Sequence, residues 1–203
     1  MRVLALGHSY VRHLRQTGPG WQAINLVNRD GTTVCPEISF DAHPGKDFAY
    51  FLEDEARLSS TTQVDPDVLV IILGGNSITP NSQSGDLRQL ARAFYKKVGE
   101  LVRPSCIVIA AQVEQRFYST YDIQHRGRPT CEQYKRMRTH LNNFLNRNLK
   151  KAGLIDFVIC LGSAGYINNA SNFVDGVHLT RPILASYRTT ILKSIQYAWL
   201  NRS

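Results

Sequence analysis

Val68-Leu69-Val70-Ile71-Ile72-Leu73-Gly74-Gly75-Asn76-Ser77 is the stretch whose reading decides the fold. Its six leading apolar residues, most of them β-branched, suit a strand buried on both faces, and the paired glycines end it abruptly. The run is far too short to cross a bilayer. Four more runs share its character, at residues 2–6, 38–42, 106–111 and 157–161. Helical patterns separate them. This alternation predicts an α/β fold of three layers, α/β/α, with a five-stranded parallel sheet in a single domain spanning 1–203.

Between the strands the period changes to that of a helix. Leu87, Leu90, Ala91, Phe94, Val98 and Leu101 recur at three and four residues, with Asp86 as the expected N-cap. Tyr134, Met137, Leu141, Phe144, Leu145 and Leu149 trace a second buried stripe. A last helix begins after Thr180, with Pro182 in its first turn, where a missing N–H does no harm, and buries Ile183, Leu184, Tyr187, Ile191, Leu192 and Ile195. One long irregular connection, 114–130, follows the fourth strand and holds Phe117, Tyr118, Tyr121, His125 and three arginines. It stands at the carboxyl edge of the sheet, where open α/β sheets bind ligands, and reads either as a substrate wall or as a tethered surface loop.

The balance of 43% hydrophobic and 20% charged residues in 203 is that of a globular chain, neither disordered nor membrane-spanning. Met1 to Leu6 reads as a strand and not as a signal peptide, so a cytoplasmic location is expected, unless the chain is one domain of a longer protein. Cys35, Cys106, Cys131 and Cys160 show no C-x-x-C pair and no histidine at zinc spacing, so no metal is expected. Cys106 and Cys160 lie in apolar runs and read as small buried thiols. Lysine and arginine outnumber acids by 24 to 16, a net charge of +8. The excess clusters in helical segments, at Arg88, Arg92, Lys96 and Lys97, then Lys135, Arg136, Arg138, Arg147, Lys150 and Lys151, while the connecting loop adds Arg116, Arg126 and Arg128. Such a surface attracts phosphates or anionic headgroups, or is a set of solvated helix faces.

Four segments carry chemistry. Gly7-His8-Ser9 follows the first strand, His43-Pro44-Gly45-Lys46 the second and Gly74-Gly75-Asn76-Ser77 the third, and Asp175-Gly176-Val177-His178 precedes the last helix. Ester hydrolysis by serine needs a hydroxyl, a base to take its proton, and donors where the carbonyl oxygen becomes negative. Ser9 is the candidate nucleophile and His178 the candidate base, with Asp175 able to accept from one imidazole nitrogen so that the other faces Ser9. Each motif alone also has a bland reading: Asp-Gly is a common turn, Pro44-Gly45 another, and Gly74-Gly75 a tight strand exit.

The order Ser, Gly, Asn, then Asp-x-x-His, each at a strand end, resembles the SGNH hydrolases, also called GDSL-type esterases and lipases. The resemblance runs from Gly7 to His178. It implies a flavodoxin-like fold, the triad Ser9, His178 and Asp175, and an oxyanion hole made of the backbone N–H of Ser9, the backbone N–H of Gly45 and the side-chain amide of Asn76. Where that family has Gly-Asp-Ser, this chain has Gly7-His8-Ser9, and where it has Gly-x-Asn-Asp, this chain ends Asn76-Ser77. The first change puts an imidazole beside the nucleophile in place of a carboxylate that helps fix the loop. His13, His43, His125 and His140 have no interpretable spacing and read as surface or packing residues.

More narrowly, Gly-His-Ser-Tyr-Val-Arg-His-Leu together with the basic helices resembles the SGNH-type domains of animal retroelement-derived proteins, including the esterase module of LINE first-reading-frame proteins. The leading expectation is a serine esterase for short-acyl, above all acetyl, esters of small substrates, with no cofactor. The alternative is a module on the same fold that binds nucleic acid (RNA) or an anionic lipid membrane through its basic face, with hydrolysis secondary. A nucleotide-binding flavodoxin-like domain is disfavoured, because no glycine-rich phosphate loop follows the first strand.

Overall fold

All five apolar runs form strands of one parallel sheet. The computed structural model describes residues 1–16, 25–160 and 169–202. In chain order these hold β1 (Arg2–Gly7), α1 (Ser9–Arg15), β2 (Leu26–Val27), β3 (Thr33–Val34), β4 (Glu37–Ala42), α2 (Phe48–Glu53), α3 (Ser59–Val64) and β5 (Val68–Ile72). There follow α4 (Ser84–Leu101), β6 (Ile107–Ala111), α5 (Thr120–His125), α6 (Cys131–Phe144), β7 (Phe157–Ile159) and α7 (Arg181–Leu200). The strand order is β4-β1-β5-β6-β7, all parallel, and β2 and β3 pair separately as an antiparallel ribbon. The expected strand end at Leu161 lies outside the described residues.

The doubly apolar strands are explained by two cores. Leu4, Leu6, Leu69, Ile71, Val108 and Ala110 point to one face, where they pack against Phe48, Phe51, Phe94, Tyr134 and Leu141. Val3, Ala5, Val68, Val70, Ile72 and Ile109 point to the other, against Val11, Leu14, Tyr187 and Ile191. Successive residues alternate between layers because strand side chains alternate sides, so a strand covered on both faces must be apolar throughout. β4 lies at the edge, is only part-buried, and carries Ser39 and Asp41.

Helix stripes match their expected residues, with differences in detail. Helix α4 starts two residues before Asp86: Gln83 is the N-cap, without a side-chain bond, and Asp86 sits in the first turn, where a carboxylate still favours the helix dipole. Helix α6 begins with a reciprocal capping box between Thr130 and Gln133 and continues through one π-helical turn, Leu145–Leu149, which keeps Leu145 and Leu149 buried. Cys106 is buried, and burial pushes its thiol up to about 12. Cys160 is exposed, contrary to expectation, because β7 stops at Ile159. The small ribbon had no sequence signal. It docks on α7, where Val27 exchanges two hydrogen bonds with Gln196 at 2.8 and 2.9 Å and Trp199 Nε1 donates to Asn28 Oδ1 at 2.7 Å. No helix among the described residues is long and apolar enough to cross a membrane.

This topology fixes where a site can form. After β1 the chain turns to the α1 and α7 face, whereas after β5 it turns to the α4 and α6 face. The carboxyl ends of β1 and β5, paired as Gly7 with Ile72, therefore bound a crevice at the switch point of the sheet.

Candidate active site

At this crevice β1 passes directly into α1, and the close approach of β5 requires a glycine: a Cβ on Gly7 would stand 2.1 Å from the Ile72 carbonyl oxygen. His8 is the N-cap of α1, and its Nδ1 accepts from the Tyr10 N–H at 3.4 Å. The ring is fully buried, and burial, followed by the positive Arg116 and by His178, holds its pKa well below the usual histidine range. His8 is thus neutral, with Nδ1 as acceptor and the proton on Nε2, which has no hydrogen-bond partner among the described residues. An imidazole does here what a carboxylate does at many N-caps. Ser9 opens α1, and its N–H is one of the helix's unsatisfied donors.

The second segment is a tight loop closed by a bridge between Phe173 and Leu179 and by Val174 N–H donating to the His178 carbonyl at 2.7 Å. Asp175 Oδ1 accepts from the N–H groups of Val177 and His178 at 3.0 and 2.7 Å, and Oδ2 faces His178 Nδ1 at 2.7 Å. His178 Nε2 lies 2.9 Å from Ser9 Oγ. Partial burial raises the Asp175 pKa, but the hydrogen bonds from His178 and Val177 outweigh it and hold the carboxyl below its usual value. An ionised Asp175 accepts only, so Nδ1 of His178 carries the proton and Nε2 presents its lone pair to Ser9. Gly176 makes this loop possible. Its φ is +74°, its carbonyl accepts from Phe117 N–H at 2.6 Å, and a Cβ on it would stand 2.0 Å from the Phe117 oxygen.

One partner of this chain went unrecognised in the sequence. The His13 ring stacks on His178, with centroids 4.7 Å apart and planes 2° apart. Burial, then His178 and Arg12, lower its pKa, which favours the uncharged form of the His13 ring beside His178. Its spacing of four from Ser9 on one helix was the available signal, since such residues share a face. Beside the two rings a cleft of about 620 Å³ is lined by His13, Val174, Asp175, His178, Leu184 and Arg188.

Gly45 and Asn76 approach from the other side. His43 N–H donates to the Gly7 carbonyl at 2.7 Å, which lays the 43–47 turn beside the end of β1. Gly45 has φ +78°, favouring glycine, and its N–H has no hydrogen-bond partner among the described residues. Asn76, in the 3₁₀ turn Gly75–Ser77 after β5, donates from Nδ2 to the Lys46 carbonyl at 2.9 Å and accepts at Oδ1 from Arg116 at 2.9 Å. Among the described residues, one hydrogen of its amide remains uncommitted. The structure thus joins Ser9, His178 and Asp175 directly, and ties Asn76 to the turn that holds Gly45.

The 114–130 connection divides in two: its second half is mostly exposed, as a tethered surface loop would be, whereas its start is not. Glu114, Gln115 and Arg116 are buried beneath the crevice, and α5 occupies its middle behind a Ser119 and Asp122 capping box. Tyr187 Oη donates to Glu114 Oε1 at 2.7 Å, Tyr134 Oη to the Glu114 carbonyl at 3.2 Å, and Arg116 Nη1 to Tyr118 Oη at 2.8 Å. Burial raises the Glu114 pKa. Arg116 therefore leaves the tally of surface cations, and Arg138 is only partly exposed.

No family model and no curated protein matches the chain. Solved structures do. A lipase/acylhydrolase from Enterococcus faecalis aligns with TM-score 0.65 at 16% identity, covering 100% of both chains. The acetyl xylan esterase AlAXEase aligns with TM-score 0.65 at 14% identity, over 96% of this chain and 100% of its own. A Slackia heliotrinireducens protein assigned to the SGNH hydrolases gives TM-score 0.64 at 11% identity, over 96% and 98%. At such identities the likeness speaks to architecture, and the chain has the α/β/α fold of the SGNH hydrolases.

Proposed function

We propose that the protein is a serine ester hydrolase with Ser9 as nucleophile, His178 as general base and Asp175 as its orienting acid. The observation that carries this reading is the continuous chain from Ser9 Oγ to His178 Nε2 at 2.9 Å and from His178 Nδ1 to Asp175 Oδ2 at 2.7 Å. As Ser9 attacks an ester carbonyl, His178 takes its proton and returns it to the departing alkoxide, leaving an acyl-serine that water hydrolyses by the same route reversed. Asp175 stabilises the imidazolium between these steps. The backbone N–H groups of Ser9 and Gly45 and the uncommitted N–H of Asn76 are the donors proposed for the oxyanion, each such donor contributing about 3 kcal/mol of transition-state stabilisation. None of these steps calls on a metal or cofactor, and short-acyl, above all acetyl, esters are the proposed substrates. Turnover of p-nitrophenyl acetate tests this: Ser9→Ala or His178→Ala should lower kcat by about a thousandfold or more. Unchanged turnover in Ser9→Ala would remove the proposal.

A second reading, compatible with the first, concerns the basic face, where a polyanion such as RNA or an anionic membrane is the proposed partner. Among the described residues Arg88, Arg92 and Lys96 of α4, and Arg136, Arg147 and Lys151 on and after α6, form no ion pair, whereas Lys97 is paired with Glu55 and Glu100. Arg88 and Arg92 also line a groove of about 330 Å³ with Phe144 and Asn148. Binding to single-stranded RNA or to anionic vesicles should weaken steeply between about 50 and 200 mM salt, and glutamine at these positions should flatten the slope. Absence of binding at the lower salt returns the charge to a solvated surface.

A further inference from the structure

Gly75 is a glycine without a conformational reason. Its φ lies outside the left-handed region, so its backbone is open to other residues. Yet a Cβ there would stand 2.6 Å from Arg116 Nη2, and 3.1 Å from both Arg116 Cζ and Tyr134 Oη. The residue before Asn76 is small because a guanidinium passes beside it.

Arg116 is 3% exposed. Nη1 donates to Tyr118 Oη at 2.8 Å, Nη2 donates to Asn76 Oδ1 at 2.9 Å, and the guanidinium carbon lies 5.5 Å from the centroid of the Tyr134 ring. Among the described residues no carboxylate pairs with it, and nearby Glu114 takes the Tyr187 hydroxyl instead. A buried charge without a counter-ion is costly, and what holds this one is two hydrogen bonds and an aromatic face.

Two effects on Asn76 follow. A guanidinium has only hydrogens to offer, so the atom facing it must be the amide oxygen, and Nδ2 is turned toward the 43–47 turn, where it meets the Lys46 carbonyl. Positive charge against the amide oxygen also draws electron density from the NH₂ group, making it a better donor to an anion. In a buried site that charge is weakly screened.

We infer that Arg116 is a positioning residue, which fixes the orientation of the Asn76 amide and through it delivers positive charge to the oxyanion. The oxyanion part rests on the hydrolase reading above, whereas the orientation part does not. The test is a double-mutant cycle on p-nitrophenyl acetate combined with NMR of the Asn76 side-chain amide, assigned by its loss in Asn76→Ala. Arg116→Met should lower kcat about ten- to a hundredfold, the range of a charge-assisted hydrogen bond, with KM changed by less than about threefold. In the Asn76→Ala background the same change should cost nothing further. Arg116→Lys should recover part of the rate, and Gly75→Ala, which displaces the guanidinium without removing it, should reproduce the kcat loss should Arg116→Met not fold. The Asn76 NH₂ signals should be dispersed in the native protein and move toward free-amide positions in Arg116→Met or Gly75→Ala. Losses that multiply across the cycle, or amide signals that stay in place, overturn the inference. A native protein that turns over no ester but shows the amide shift removes the hydrolase reading and keeps the orientation.

Discussion

Asp175→Asn should damage the protein's activity more than Asp175→Ala, because of how the native carboxylate divides its bonds. Oδ1 is claimed by two backbone N–H groups, of Val177 and His178, and Oδ2 by His178 Nδ1. An asparagine keeps its oxygen on the two N–H groups and turns its NH₂ to Nδ1. That forces Nδ1 to accept and moves the ring proton to Nε2, where it faces Ser9 and blocks the base. In a serine protease triad, where the same substitution imposes the same wrong tautomer, the loss in kcat is about ten thousandfold. Alanine imposes no tautomer. The Asp175 side chain is 54% exposed, so water can enter and accept from Nδ1. What alanine loses is the attraction between carboxylate and imidazolium, about 1 kcal/mol at 4 Å in water and about 4 kcal/mol at a protein surface, and the exposure places it in the lower half of that range. This corresponds to about five- to seventyfold in kcat, with a further small loss from the two freed N–H groups. Steady-state turnover of p-nitrophenyl acetate by both variants at one pH, with circular dichroism to confirm the fold, decides the matter. Equal losses, or a larger loss in Asp175→Ala, refute the tautomer argument.

Three further outcomes are expected. Gly176→Ala combines a positive φ with a Cβ driven into the Phe117 carbonyl, so it should lower Tm by several degrees, from about 2–3 kcal/mol of strain, and abolish turnover; a variant with native Tm and rate contradicts the role given to that contact. His13→Ala removes the ring stacked on His178 and should lower kcat about three- to tenfold through a less confined base. Because His13 is neutral near pH 7, the pH-rate profile should keep its midpoint, and a shift beyond about half a unit shows a charge effect instead. Burial raises the Glu114 pKa above the ordinary 4.5, so its contribution to stability is complete below that value and is lost as pH rises through the raised one. Glu114→Gln, which keeps an acceptor for Tyr187, should therefore equal or exceed the native protein in urea stability at pH 7, with the gap closing toward pH 4; a clear destabilisation at pH 7 contradicts this.

The sheet was legible because strands buried on both faces must be apolar at every residue, and Val68 to Leu73 has no other reading at its length. Ser9, Gly45 and Asn76 each follow a strand and Asp175 and His178 share one loop, and it was the resemblance of that order to the SGNH hydrolases that singled them out from ordinary turn residues. What escaped was whatever depends on packing between distant segments. Arg116 lies in a polar stretch and reads as surface, yet it is buried against Tyr118 and Tyr134 and passes beside Gly75. The His8 cap needed knowledge that its ring lies fully inside. The β2 and β3 ribbon is two residues per strand, below any periodicity, and Gln196 and Trp199 of α7 hold it from the far end of the chain.

Everything proposed for the site turns on whether His178 activates Ser9. Labelling the folded protein with a fluorophosphonate, followed by intact mass and peptide mapping, tests this without a choice of ester. A single adduct is predicted, mapped to Ser9, absent from Ser9→Ala and slowed by about a thousandfold or more in His178→Ala. Equal labelling of native protein and Ser9→Ala, or none in the native protein, contradicts it.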